Sequence, residues 1–168
     1  MKRTRAARVA MCVLLAAGLL SCSEARAPIV AELNGPASLA GKLPANPLAW
    51  KVITSSADTK NGTMATLYGN DAAAAYARSR MDAAYPVGAQ MALVTWKQAD
   101  DARWYGARIP GGVEMVEFVM VNGSEDGKAV ATYVKYAGTP LSAVASSDAA
   151  AADGRARAIL EQRASVLP

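Results

Sequence analysis

The chain has 168 residues, enough for one well-buried core and too few for two. Apolar residues make up 52 % of it but aromatics only 6 %, so the core is built of Ala and Val more than of Leu and Phe. The formal charge of +4 is a property of the N-terminus: Lys2, Arg3, Arg5 and Arg8 supply it, and the other fourteen basic residues balance fourteen acidic ones. The body therefore lacks the basic surface of a nucleic-acid binder, and no nucleic-acid partner is expected. The sequence contains no histidine. A Ser-His-Asp triad, imidazole acid–base chemistry and histidine metal ligation are excluded together.

The first residues read as an export signal, with a basic stretch, an apolar run from Val9 to Leu20 and then small residues. A run of twelve is too short to span a bilayer, which takes about twenty residues in a helix. Leu19-Leu20-Ser21-Cys22 resembles the lipobox of bacterial lipoproteins, which implies cleavage before Cys22 and lipidation of its thiol. The rival site follows Ala25-Arg26-Ala27 and leaves Pro28 just past the cut, where the ring and missing N–H fit a protease subsite poorly. Cys12 departs with the leader on either reading. On the lipobox reading Cys22 is then the single remaining cysteine, whereas the rival cut removes it too, and on either no intramolecular disulfide forms. Ser23 stands where an aspartate would retain a lipoprotein at the inner membrane, so the resemblance implies the outer membrane, facing the periplasm. The expected organisation is a signal peptide over 1–21, a lipidated tether and entry loop over 22–46, and a folded domain over 47–168.

Residues 23–46 are rich in Pro, Ala and Gly, with an edge strand expected only around Ala27 to Leu33. The first β-branched strand is Trp50 to Ser55. Asn61-Gly62 marks a tight hairpin into a strand from Thr63 to Tyr68. Asn70 or Asp71 then caps an Ala-rich helix, AAAAYARSR. A third strand, Ala89 to Gln98, is apolar on both faces and so central and covered on both sides. A fourth is read from Arg103 to Ile109, broken by Gly106. Pro110-Gly111-Gly112 turns the chain into a fifth, in which Val113, Met115, Glu117, Val119 and Val121 share one face. Ala129 to Tyr136 is the sixth. Ser142 to Asp153 reads as a loose linker, and a closing helix from about Asp153 to Ala164 docks Ala156, Ile159, Leu160 and the stem of Arg163. The fold class is mainly β (α+β): an antiparallel sheet or sandwich of about six strands, with a short helix after the second and another at the C-terminus.

One cluster invites a ligand. Trp96, Trp104, Tyr105, Arg108 and Glu117 combine flat aromatic surface with an arginine, a set suited to a small anion or a planar molecule. The competing reading makes the aromatics ordinary core, with Arg108 paired to Glu117 across strands. Asp100-Asp101 is a weak candidate for a hard cation, since adjacent carboxylates usually point apart.

WKVI from Trp50, then GTMATLYGND, YPVGAQMALVTWKQ, DARWYGARIPG, VEFV and the closing ILEQRASVLP resemble, in order, the cytochrome P-460 family of periplasmic proteins. The resemblance implies an antiparallel β fold with helices, related to cytochrome c-prime-beta and often dimeric. It also implies, in the haem-bearing members, haem c attached through a C-terminal CxxCH motif and cross-linked to a lysine, acting on small nitrogen compounds. Here Cys12 and Cys22 are the only cysteines and histidine is missing, so haem c attachment is not expected. No lysine is matched to the cross-link, although Lys97 adjoins the third strand. The expectation is a lipid-anchored, haem-less domain of this kind acting as a binding or interaction module, with no catalytic residue assigned. The alternative is an envelope protein or oxidoreductase holding haem or another small molecule without covalent attachment, with Met91, Met115 or Tyr105 as donor. Dimerisation through Met91, Leu93 and Met120 is a third reading.

Overall fold

The computed structural model describes residues 34–79, 84–123 and 128–165. The leader, Cys22 and the edge strand read at Ala27 to Leu33 lie outside the described residues. Six strands form one sheet in chain order: β1 (Lys51–Asp58), β2 (Thr63–Gly69), β3 (Gln90–Asp100), β4 (Arg108–Gly123), β5 (Ala129–Ala137) and β6 (Ser142–Val144). Every neighbouring pair is antiparallel. Helix α1 (Asp71–Ser79) sits between β2 and β3, and α2 (Ala149–Leu160) closes the fold. The architecture is the expected antiparallel sheet with two helices, not a sandwich of two sheets.

The doubly apolar pattern of β3 places it in the sheet interior, between β2 and β4. Met91 and Leu93 point to the helical face, packed with Ile53, Leu67, Val119 and Val121 under Ala73 and Ala74 of α1 and Ala156 and Ile159 of α2. Ala92, Val94 and Trp96 point to the opposite face with Val116 and Phe118. Among the described residues no α-helix covers that second face. It is covered by the chain arriving from the N-terminus, through Ala37, Leu39, Leu43, Ala45 and Trp50, with Leu141 from beyond β5. Phe118 is its centre, meeting Trp50 edge-on at 6.1 Å and Tyr136 at 5.6 Å.

The join after β2 is made by Asn70. Its Oδ1 accepts from the N–H of Ala73 at 3.0 Å, capping α1, and from Gln90 at 3.2 Å, while its Nδ2 donates to the Gly88 carbonyl at 2.9 Å. One amide side chain thus ties the helix start to the β3 start. Gly69, just before it, lets α1 approach the sheet: a Cβ there would come within 2.6 Å of Ile53 Cδ1 and 3.0 Å of Ala73 Cβ.

Three sequence expectations change. Pro110-Gly111-Gly112 is not a turn: β4 is one 16-residue strand, and the register with β3 shifts on either side of Trp96. The extra β4 residues are absorbed as bulges, and Gly111 lets the strands close up, since a Cβ would stand 3.0 Å from the Lys97 carbonyl. The real turn is at 101–107, so the strand read from Arg103 begins only at Arg108. The segment read as a linker from Ser142 contains β6 and the start of α2, because Asp148 caps the helix by accepting from the N–H groups of Ala150 and Ala151. The β1–β2 turn lies where the sequence placed it, between Asp58 and Thr63, with the Asp58 carboxylate accepting from Lys60 and Asn61.

The covering segment is pinned where Gly41 bridges Leu141 and the Leu141 N–H donates to the Ala40 carbonyl at 2.7 Å. Gly41 has φ +150°, and a Cβ there would run into the Leu141 backbone. Gly41→Ala should therefore lower unfolding stability by more than about 1 kcal/mol. Gly35→Ala, whose Cβ would meet nothing within 4 Å, is the matched control, and urea unfolding of the two variants checks the difference.

Candidate functional site

An alternating apolar strand face with one acidic position needs a partner for that acid, and β4 has one such position. Glu117 lies between Met115 and Val119 on the helical face and is only 2 % exposed, the one charged residue among the fully buried ones described. Its partner comes from α2. Arg155 Nε donates to Oε1 and Nη2 to Oε2, both at 2.7 Å, a bidentate fork. Tyr133, on β5, donates its hydroxyl to Oε1 at 2.7 Å. Lys135 is the register partner of Glu117 on the same strand.

The electrostatics follow from this geometry. Burial pushes the Glu117 carboxyl up, but the hydrogen bonds from Arg155 and Tyr133, with the charges of Arg155 and Lys135, outweigh it and hold the group below the usual range. Tyr133 is pushed well above an ordinary phenol, by burial first and then by donating to a carboxylate. Arg155 is raised mainly by its hydrogen bond to Glu117. Tyr68 and Tyr85 are raised by burial, while Asp58 and Asp71 are lowered by hydrogen bonds from Asn61 and Lys51. All these displacements lead away from neutrality, whereas general acid–base catalysis needs a group brought toward it. Glu117 in particular is a poor base, because its oxygens already accept three strong hydrogen bonds. Among the described residues no buried side-chain polar atom lacks a partner, and no cluster of His, Cys, Asp or Glu is arranged to hold a metal.

The candidate pocket does not assemble. Trp96 is 5 % exposed on the face opposite Glu117, its Nε1 donating to the Ala37 carbonyl at 2.9 Å. Trp104 and Tyr105 stand in the 101–107 turn, 71 % and fully exposed. Arg108 pairs with Asp100 across the mouth of that hairpin, not with Glu117. The sheet itself separates Trp96 from Glu117, because neighbouring β4 residues alternate faces and Phe118, not Glu117, is on the Trp96 side. Of the donors considered for a bound cofactor, Met91 is fully enclosed in the core and Tyr105 projects into solvent. Of Met91, Leu93 and Met120, considered for dimerisation, Met91 and Leu93 are buried beneath the helices and Met120 is half-buried.

What the sequence reading missed is Arg155, thirty-eight residues from Glu117. The available signal was the acid on an apolar face, which demanded a cation from the opposing element, and α2 carries Arg155 and Arg157 in an Ala-rich setting.

If the pair is a clamp, breaking it from the arginine side strands a buried carboxylate. Arg155→Ala should cost about 3 kcal/mol, the lower part of the range for a broken buried pair because the Arg155 side chain is 45 % exposed. Glu117→Gln, which keeps the shape and leaves the arginine able to reach water, should cost less. Since the Glu117 carboxyl is held down, its contribution is present above about pH 4.3, the unfolded midpoint, and is lost as pH falls through the lower folded value. The stability gap between wild type and Glu117→Gln should therefore hold steady at higher pH and shrink as pH falls below about 4.3, measured by denaturant unfolding across a pH series.

Compared with known proteins, the chain matches the family model described as Cytochrome P460 over residues 44–150. No curated protein matches it significantly. The matched span takes in β1 to β6 with Glu117 and Tyr133, and stops as α2 begins, so Arg155 lies beyond it. A match over more than half the sequence, on a meander of the kind the resemblance implied, settles the family: this chain belongs to the cytochrome P460 family.

Proposed function

We propose that this protein is a lipid-anchored envelope protein, held at the outer membrane through Cys22, whose cytochrome P460 domain works without haem as a binding or interaction module. The observation that carries the reading is a mismatch between scaffold and chemistry. The family domain is present from β1 to β6, yet the sequence has no histidine, and its two cysteines, Cys12 and Cys22, both precede the domain. Thioether attachment and imidazole ligation both lack their residues, so the donor set does not fit haem c. The buried charge does not replace them. Glu117 is saturated by Arg155 and Tyr133, and a saturated, lowered carboxylate steadies a helix rather than moving protons.

Purification from a host that matures haem c, followed by pyridine haemochrome assay and intact-mass measurement, should give no covalently bound haem. Stoichiometric haem would contradict the reading. Titration with free haem at micromolar concentration should leave the Soret band where it lies in buffer; a saturable shift would favour non-covalent haem binding instead.

A further inference from the structure

The 101–107 turn is the most exposed aromatic feature among the described residues, and nothing in the sheet explains it. Trp104 is 71 % exposed and Tyr105 fully so, side by side at the tip of the β3–β4 hairpin. The turn that presents them is built. Asp101 Oδ1 accepts from the Arg103 N–H at 2.8 Å, the Asp101 N–H donates to the Ala107 carbonyl, and the Ala107 N–H donates to the Trp104 carbonyl at 3.0 Å. Gly106 takes φ +77°, and Asp100 with Arg108 closes the neck. The charged residues from 100 to 108 are Asp100, Asp101, Arg103 and Arg108, which cancel. The tip is thus neutral overall, with two amphipathic rings outermost. That chemistry suits the headgroup level of a bilayer, where Trp and Tyr bury their rings and keep N–H and O–H wet.

The entry of the chain points the same way. Asn34 Nδ2 donates to the Pro110 carbonyl, so the described domain begins at the foot of this hairpin. Pro110 is two residues from the last β3–β4 pair, Asp100 with Arg108, and the turn follows directly. The far end of β4 at Met120, by contrast, is ten residues or about 33 Å along the strand. Eleven residues separate Cys22 from Asn34, a reach of at most about 40 Å. The described domain thus begins beside the hairpin that carries Trp104, and a tether of that reach leaves this end free to meet the membrane.

We infer that the β3–β4 hairpin tip is a membrane-interface contact, in which Trp104 and Tyr105 seat in the headgroup layer of the bilayer that carries the Cys22 lipid. The inference rests on the anchoring proposed above. The contact fixes the orientation of the domain: the sheet stands on its hairpin, with the Gln90 and Met120 end directed away from the membrane. Because the tip is neutral, the contact needs no anionic lipid.

The test uses the full chain matured in a lipoprotein-exporting host and reconstituted into phosphatidylcholine vesicles, with or without bromine-labelled phosphatidylcholine. Intact mass first establishes whether Cys22 bears the lipid; a mature N-terminus after Ala27 would overturn the anchoring and this contact together. With the lipid present, bromolipid should quench the wild-type tryptophan emission, and Trp104→Phe should abolish most of that quenching with unchanged thermal unfolding, because the exposed ring supports no core. Trp50 and Trp96 remain as internal reference. Anchored protein whose emission is equal in both vesicle types, or whose quenching survives Trp104→Phe, would overturn the contact while leaving the anchoring intact. Emission unquenched in vesicles, with Trp104 protected from oxidation by N-bromosuccinimide in whole cells, would assign the tip to a protein partner instead.

Discussion

A charge in a core must be neutralised where it stands, and in this protein that constraint fixes how the helical face is built. Glu117 is in the middle of the longest strand, on the face that the helices cover. It is tolerated there because Arg155 delivers a bidentate fork from α2 and Tyr133 a hydroxyl from β5. The geometry demands that α2 cross β4 and β5 at one height and with one rotation, since a turn of the helix in either direction would remove the guanidinium. Ala156 and Ile159 then fall onto the apolar face, and the chain after the helix reaches β1, where the Ser165 N–H donates to the Ile53 carbonyl at 2.9 Å. Pure hydrophobic packing of an Ala-rich helix specifies position weakly, because small side chains interlock little; an ion pair with two parallel hydrogen bonds specifies it well.

The opposite face is solved by different means. Among the described residues no α-helix covers it; the 34–50 segment is laid across the sheet and held by directional contacts at both ends. Trp96 donates to Ala37, Gly41 bridges Leu141, and Trp50 closes on Phe118. Both faces of β3 are therefore dry, and the domain keeps the family scaffold. Each face has its own cover and its own polar fastening.

Much of this was legible in the residues. β-branched residues located β1, the Asn61-Gly62 turn the start of β2, the double apolarity of β3 gave its interior position, and Asn70 before a run of alanines gave the start of α1. The misreadings have a common cause, which is that local signals were overridden by pairing across the sheet. Pro110-Gly111-Gly112 looks like a turn in isolation but is a bulge once β3 lies alongside. The Ser142 segment looks formless until Leu141 is seen to meet Gly41 and Asp148 to cap α2. The site was less legible still. Trp96, Trp104, Arg108 and Glu117 are close in chemistry and divided in space, because residue parity puts Trp96 and Glu117 on opposite faces and the hairpin carries Trp104 beyond the sheet. The acid on an apolar face called for a cation, but nothing local singles out Arg155, thirty-eight positions later on a C-terminal helix, as the one that supplies it.

The central claim is that Glu117 is a structural charge, tied to Arg155 to seat α2, and not a chemical group. A double-mutant cycle measures this most directly, with Glu117→Met, Arg155→Met and the pair compared by equilibrium unfolding. A clamp predicts a coupling energy well above the roughly 1 kcal/mol of a surface pair, with the double variant folded and close to wild type in stability. Additive losses, with coupling near zero, would contradict it.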